Sequence, residues 1–252
     1  MKRIVIAMLL LAGTVHAQTT NCAIPVGFDL PDLVVDRQAL RQDRFLSEEF
    51  IDSNDCQFVE GCVETPGLRQ LLRFTTMTPN IGRAALVIGD PSQCSLLYHF
   101  SECHGHYHLE QFADYRLWTV QGFQFWRVNR NYNVPASNTV NTILLEGLRE
   151  SGDLISGRKQ GFCLIDNFPF PRNTKRPFPN AFDDCIANQG LSVGWADLYV
   201  ATLDCQYIDV TGAVPAKYIL EVEVNPDHVL PESNYANNST RINLRIPKPG
   251  KS

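Results

Sequence analysis

Three successive segments near the end of the chain, 198–210, 217–226 and 239–247, alternate apolar and polar residues. Successive side chains of a strand point to opposite faces, so a period of two gives each segment one apolar face to bury. Frequent Pro, Gly and Asn residues and short β-branched runs argue against a helical bundle. The pattern therefore predicts a mainly-β fold, in which a single β-sandwich-like domain carries long loops and few short helices.

Weaker patterns cover the rest of the chain. The composition of 37–50 favours a helix, whereas 119–152 is aromatic and then polar with no clear period, and 167–181 is expected to be a loop. The other segments with a strand-like pattern are 69–89 (two strands around a turn at Pro79-Asn80), 96–100, 103–118 and 156–166.

The first residues have the features of an export signal. Lys2 and Arg3 precede an apolar run, and Val15-His16-Ala17 has the small residues of a cleavage site. The run is too short to span a bilayer, and no second apolar run approaches membrane length. We therefore expect a signal peptide over residues 1–17, a mature chain over 18–252, and a secreted protein, either extracellular or periplasmic.

All eight cysteines lie in the mature part of the chain. An even number of cysteines in an exported protein makes disulfides the expected state. Cys56 and Cys62 can close a small local loop, whereas spacing alone assigns no partner to the other six. The net charge of −5 and the lack of a basic stripe argue against nucleic acid as a partner.

Three of the five histidines left in the mature chain stand at alternate positions, His104, His106 and His108. Alternate strand residues share one face but lie about 6.5–7 Å apart. Metal–imidazole bonds are about 2 Å long, so three rings converge on one ion only if the strand bends, and Gly105 makes that bend easy. Three neutral imidazoles suit Cu(II) or Zn(II) and leave coordination positions open for substrate. The alternative is a solvated histidine-rich strand that binds metal only adventitiously.

The segment that contains these histidines, "YHFSECHGHYHLEQFADYRLW" (98–118), resembles the copper-binding signature of the lysyl oxidases. The resemblance continues in order along nearly the whole mature chain, which is therefore similar to the lysyl oxidase catalytic domain. The further matching segments are "LPDLVVD" (30–36), "LLRF" (71–74), "GRKQGFCL" (157–164), "QGL" (189–191), "DLYVATLDCQYIDVT" (197–211), "YILEVEVNP" (218–226) and "LPESNYANN" (230–238).

The resemblance implies two cofactors. Copper would be bound by His104, His106 and His108. The second cofactor would be lysine tyrosylquinone, a cross-link between Lys159 and Tyr199, which stand where the family carries its lysine and its tyrosine. Asp197 matches an acid proposed as the family's catalytic base. Lys159, Tyr199 and Asp197 each also have a purely structural explanation, as a strand-edge lysine, a core tyrosine and a turn-capping aspartate.

The implied activity is that of a secreted, copper-dependent amine oxidase (protein-lysine 6-oxidase). Such an enzyme takes peptidyl-lysine or small primary amines and O₂, and it releases an aldehyde, hydrogen peroxide and ammonia. Two alternatives remain: a three-histidine zinc hydrolase, and an extracellular copper-binding β-domain without oxidase activity. Neither alternative requires Lys159 or Tyr199.

The resemblance also implies disulfides and a second ion. The implied disulfides are Cys56–Cys62 and Cys103–Cys185, and we further hypothesise a Cys163–Cys205 pair, with Cys22 and Cys94 left unassigned. An oxygen-rich cluster near the C-terminus suits Ca²⁺, although an Asn-rich turn explains it equally well. The implied calcium ligands are Asp32, the Leu33 carbonyl, Glu232, Asn234, Asn237 and Asn238.

The chain departs from the family in the stretch between His108 and Lys159, which is longer than usual. The insertion covers about 119–152 and brings extra aromatic residues with it. A loop near the copper would cover the pocket or select substrates. The acidic balance of the chain favours cationic amines or lysine-rich proteins as substrates.

Overall fold

The computed structural model describes residues 24, 27–159, 161–170 and 179–248, so the predicted signal peptide and Cys22 lie outside the described residues. The helices are α1 (Arg37–Gln42), α2 (Cys56–Val59), α3 (Val120–Asn129) and α4 (Thr139–Glu150). The strands are β1 (Arg44–Ile51), β2 (Gly67–Phe74), β3 (Thr76–Pro79), β4 (Leu86–Gly89), β5 (Tyr98–Ser101), β6 (His106–Glu110), β7 (Ala113–Thr119), β8 (Leu154–Ser156), β9 (Gly161–Phe162), β10 (Phe168–Pro169), β11 (Gln189–Leu191), β12 (Trp195–Tyr199), β13 (Tyr207–Asp209), β14 (Lys217–Val224) and β15 (Ser239–Arg245).

The mainly-β prediction is confirmed, and the C-terminal alternation marks its strands most closely. β14 and β15 fall inside 217–226 and 239–247, and they pair antiparallel. The segment 198–210 divides between β12 and β13, because a turn region separates them in which Cys205 has a φ of +61°. No described helix is long and apolar enough to cross a membrane.

The predictions made from the weaker sequence patterns agree less well with the structure. Residues 37–50 form α1 and then β1, and 69–89 contains parts of three strands rather than two. The stretch 119–152, where the sequence had no clear period, contains α3 and α4. Of the expected loop over 167–181, residues 168–169 form β10 and residues 171–178 lie outside the described residues.

Five small antiparallel sheets surround the main hydrophobic core. Inward-facing Tyr115 and Leu117 of β7 pack in this core with Leu220 and Val222 of β14. The strand orders are β15-β14-β7-β8, β1-β2-β13, β10-β12-β3, β5-β6-β9 and β11-β4.

The insertion forms an outer layer on the β7-β14 sheet. Trp118 points to the opposite face of β7 from Leu117 and stacks on Trp126 of α3, with ring centroids 5.6 Å apart. Leu145 of α4 packs into the same cluster. Described residues of 119–152 line neither of the two cavities beside the histidines. The insertion therefore does not cover the histidine cluster as the sequence suggested.

A buried ionic network holds this layer to the sheet. Glu223 of β14 accepts hydrogen bonds from Arg116 of β7 and from Arg130, which directly follows α3. The Arg130 Nη1–Glu223 Oε2 distance is 2.8 Å. Burial raises the pKa of Glu223, but the two guanidinium groups outweigh burial and lower that pKa to about 2.

The disulfides differ from the predicted ones. The described pairs are Cys56–Cys103, Cys62–Cys205 and Cys163–Cys185, and Cys94 is also disulfide-bonded. The predicted pairings Cys56–Cys62, Cys103–Cys185 and Cys163–Cys205 are therefore wrong. The reason lies in α2, which begins at Cys56 and ends before Cys62, so that the two cysteines meet different neighbours. Connectivity among many cysteines depends on such long-range contacts and not on spacing.

Candidate active site

The three clustered histidines lie at a sharp bend between β5 and β6. His104 sits in the turn over 102–105, whereas His106 and His108 belong to β6. Gly105 has a φ of +68° and donates its N–H to the Ser101 carbonyl at 2.8 Å. The bend that three converging rings require is therefore present at Gly105, and the three imidazole centroids lie 5.0 to 5.8 Å apart.

The surroundings favour the neutral form of two of these imidazoles, those of His106 and His108. Burial, aided by the charges of His106 and His104, lowers the pKa of His108 to about 3. Burial and the neighbouring His104 also lower the pKa of His106. Neutral imidazoles present free lone pairs, which is the form that binds a metal ion. The donor set therefore fits Cu(II) or Zn(II).

Gly161 supports His108 in a way that the sequence did not reveal. A Cβ atom at position 161 would lie 2.1 Å from His108 Nδ1 and 2.5 Å from its Cγ. The imidazole therefore lies against the glycine backbone, where β9 pairs with β6. Only glycine leaves room for this contact.

Glu60 is a second member of the site that sequence reasoning missed. Its Oε2 lies 3.3 Å from His104 Nε2, and its Oε1 lies 3.9 Å from His108 Nδ1. Ser101 Oγ donates a hydrogen bond to Glu60 Oε1 and accepts one from the His104 N–H at 3.1 Å. The available signal in the sequence is that Glu60 stands between two half-cystines, Cys56 and Cys62.

Lys159 and Tyr199 meet beside the histidines. The Lys159 Nζ atom lies 5.2 Å from the centroid of the Tyr199 ring and 5.0 Å from that of Phe162. Phe162 packs edge-on against Tyr199, with ring centroids 5.4 Å apart. The Nζ atom is therefore within cation–π distance of both rings.

Backbone of the Lys159 segment also fixes the Tyr199 hydroxyl. This hydroxyl donates to the Cys163 carbonyl at 2.7 Å and accepts from the Cys163 N–H at 2.6 Å. Asp197 precedes Tyr199 by two residues on β12, so the two side chains share one face. The positions of Lys159, Tyr199 and Asp197 relative to one another are thus fixed by neighbouring backbone.

Burial shifts the pKa values of Lys159, Asp197 and Tyr199 in the directions that favour their neutral forms. Desolvation lowers the pKa of Lys159 to about 8. Desolvation raises the pKa of Asp197 well above its ordinary value, since the residue is only 1% exposed. The Tyr199 pKa is also raised, by burial first and then by the Asp197 charge. Asp197 Oδ1 accepts from Asn167 Nδ2 at 2.9 Å, while Oδ2 has no described hydrogen-bond partner.

Two cavities meet at this cluster. One, of about 480 Å³, is lined by the three histidines together with Lys159, Asp197 and Tyr199. The other, of about 530 Å³, approaches Lys159 and His108 from the side of Glu102 and Glu110. Glu60 lines both cavities, and acidic side chains outnumber basic ones in each. Such a lining attracts cationic ligands.

The residues expected to bind calcium form a hydrogen-bonded cluster. Glu232 Oε2 accepts from the Leu33 N–H at 2.6 Å, and Oε1 accepts from Asn238 Nδ2 at 2.8 Å. Asn234 is exposed and caps a local turn. Because N–H donors already satisfy Glu232, the cluster holds together through its own hydrogen bonds, and calcium binding stays a prediction. The members joined by these bonds are Asp32, Leu33, Glu232, Asn237 and Asn238.

Comparison with known proteins places these residues in a family context. A family model described as Lysyl oxidase matches residues 31–128 and 144–248. Protein-lysine 6-oxidase of Homo sapiens is 28% identical over 228 residues, which cover 86% of this chain and 46% of the human protein. The corresponding protein of Sus scrofa is 28% identical and is covered to 77%. Lysyl oxidase homolog 2A of Danio rerio is 29% identical over 226 residues, and the match covers 25% of that protein. The chain thus spans less than half the length of the human relative.

Proposed function

The chain belongs to the lysyl oxidase family, and on that premise we propose that it is a copper-dependent amine oxidase. It would convert primary amines, either peptidyl-lysine or small amines, to aldehydes, with consumption of O₂ and release of hydrogen peroxide and ammonia. The observation that carries the proposal is the 5.2 Å approach of Lys159 Nζ to the Tyr199 ring beside three histidines. A zinc hydrolase or a simple copper-binding domain has no need of that approach.

His104, His106 and His108 would hold copper, since neutral imidazoles are suitable ligands for it. Bound copper would promote oxidation of the Tyr199 phenol by O₂, and the resulting lysine tyrosylquinone, joined to Lys159, would supply an electrophilic carbonyl that accepts two electrons. The remaining work falls to side chains of the chain itself.

Lys159 contributes a nucleophilic amine. Only the neutral amine has a lone pair to offer, and desolvation lowers the pKa of Lys159 to about 8. Phe162 lies on one side of the Nζ atom and directs the amine toward Tyr199. The backbone of Cys163 orients the Tyr199 ring through its hydroxyl group.

Asp197 is the proposed general base. Its Oδ2 atom is buried, lacks a described hydrogen-bond partner and belongs to a residue that lines the cavity with Lys159. Burial raises the proton affinity of the carboxylate, which makes it a stronger base. It would accept the proton from the carbon next to the substrate nitrogen.

The acidic lining suggests how substrate is attracted. A primary amine approaches as an ammonium ion, and the carboxylates of Glu60 and Asp204 line the cavity. The same charges suit a lysine side chain presented by a protein and a small free amine. We propose an exported protein on the basis of residues 1–17 and of the disulfides.

The decisive experiment is copper loading of the apo protein in air, followed by peptide mass mapping. We expect a peptide in which Lys159 is joined to Tyr199, redox staining for a quinone, and peroxide release when a primary amine is added. Tyr199→Phe should abolish all three and leave copper binding intact, because the phenol oxygen is needed for the quinone.

Tyr207→Phe is the matched control. The Tyr207 hydroxyl is buried with no described hydrogen-bond partner, and this residue lines neither cavity beside the histidines. The control should mature and react normally. A Tyr199→Phe variant that still releases peroxide, or a wild type that binds copper but never forms the cross-linked peptide, would refute the oxidase proposal.

A further inference from the structure

Glu60 is fixed next to the histidines by two disulfides. It caps α2 directly after Val59, between Cys56 and Cys62. The Cys56–Cys103 disulfide joins the start of α2 to the residue before His104. The second disulfide, from Cys62 to Cys205, ties the other side of Glu60 to the region between β12 and β13. The backbone at Glu60 is therefore anchored on both sides at the histidine cluster.

The distances around Glu60 match those between ligands of one metal ion. Adjacent ligand atoms of a four-coordinate ion with bonds of about 2.0–2.2 Å lie about 2.9–3.5 Å apart. Glu60 Oε2 lies 3.3 Å from His104 Nε2, inside that range. Glu60 Oε1 lies 3.9 Å from His108 Nδ1, which a shift of about half an ångström would bring into it. One ligand atom from each of these three residues lies within 4.8 Å of the other two.

The orientation of the carboxylate is also fixed. Ser101 Oγ donates to Glu60 Oε1, and the same hydroxyl accepts from the His104 backbone N–H. The Glu60 side chain is 20% exposed, so it is largely withdrawn from water without an arginine or lysine within ion-pair distance among the described residues. Hydrogen bonds from a neighbouring side chain are a usual device for aiming a metal ligand.

We propose that Glu60 is a fourth protein ligand, through a carboxylate oxygen, of the metal ion that the three histidines hold. The identity of the metal in this proposal rests on the proposed function. The geometry of the ligands does not depend on it. An anionic oxygen ligand lowers the net charge of the site and favours Cu(II), since oxygen donors suit harder ions than Cu(I).

The test compares Glu60→Gln with wild type by Cu(II) affinity, from chelator competition, and by the Cu(II) electron paramagnetic resonance spectrum. Loss of the carboxylate should weaken Cu(II) binding at least tenfold and alter the copper hyperfine splitting. Glu60→Asp keeps a carboxylate and should recover part of the affinity. Thermal melting of the apo variants confirms that each is folded.

Glu64→Gln is the matched control for charge. Glu64 is exposed and pairs with Arg158 at 3.4 Å, so its loss removes the same charge without touching the histidines. This variant should keep the wild-type spectrum and affinity. A Glu60→Gln spectrum identical to that of wild type would overturn the proposal, even if affinity fell, because Glu60 would then only position the histidines. If wild type binds copper but never matures its quinone, the oxidase proposal fails while the spectra still decide the role of Glu60.

Discussion

The Lys159 amine lies 5.2 Å from the centre of the Tyr199 ring, although 40 positions separate the two residues along the chain. The approach follows from how the two segments are joined. Tyr199 directs its hydroxyl to the backbone of Cys163, and the Phe162 ring packs edge-on against the Tyr199 ring. The segments that carry Lys159 and Tyr199 are therefore held together by contacts of their own backbone and side chains.

Replacing Lys159 by Met should stabilise the apo protein. Burial lowers the Lys159 pKa from 10.5 to about 8, so the folded state binds this proton less tightly than the unfolded state. Each pKa unit corresponds to about 1.4 kcal/mol, and after allowance for partial exposure we expect a gain of about 2 kcal/mol. The gain should be full below pH 8 and should vanish as the pH rises through 10.5. Denaturant unfolding of apo protein at several pH values measures it, and a loss of stability at pH 7 would contradict it.

Maturation of the quinone should accelerate with pH. The reacting form of Lys159 is the neutral amine, whose population rises around the pKa of about 8. At saturating copper in air, the rate at which the quinone absorbance appears should increase from pH 6 to pH 9, with a midpoint near pH 8. A rate that is constant or falls over this range would mean that Lys159 ionisation does not limit the reaction.

Gly161→Ala should damage the metal site. The added Cβ would lie 2.1 Å from His108 Nδ1, so the imidazole must move. We expect copper affinity to fall at least tenfold, as for loss of a group that orients a ligand. Gly147→Ala is the control: a Cβ there meets nothing within 4 Å, and helix propensity predicts slight stabilisation. Chelator competition measures both variants, and equal affinities would contradict the role given to Gly161.

Glu223→Gln should detach the insertion and destabilise the fold. It leaves Arg116 and Arg130 buried without their shared anion, which costs on the order of 3–5 kcal/mol. Because the folded pKa of Glu223 is lowered to about 2, its contribution should be present above the unfolded pKa of about 4.5 and lost as the pH falls through 2. Thermal melting against pH tests this. Glu146→Gln, at an exposed position of α4, should change little.

Peptide mapping without reduction should recover the described disulfides and not the pairs expected from the sequence. The expected peptides contain Cys56–Cys103, Cys62–Cys205 and Cys163–Cys185, in place of the pairs taken from the family resemblance (Cys56–Cys62 and Cys103–Cys185) and of the hypothesised pair Cys163–Cys205. Recovery of a Cys56–Cys62 peptide would remove both anchors of Glu60, because each anchor uses one of these two cysteines. It would also weaken the argument for Glu60 as a ligand.

Part of the candidate site was readable from local sequence. The alternate spacing of the histidines placed them on one face of a strand, and the glycine between His104 and His106 allows the bend that brings the rings together, which is present. The family resemblance then singled out Lys159 and Tyr199, which lie together. Glu60 and Gly161 escaped both arguments, because each acquires its role only through contact with a histidine brought near by folding.

The sequence by itself determined the β-rich class and the capacity for a turn at Gly105. These depend on side-chain period and backbone freedom, which act over a few neighbouring residues. Tertiary structure decided the disulfide partners, the position of the insertion on the outer face of β7 and the approach of Glu60 to His104 across 44 positions. Such contacts form between segments that are distant in the chain, and their geometry follows from the packing of whole sheets.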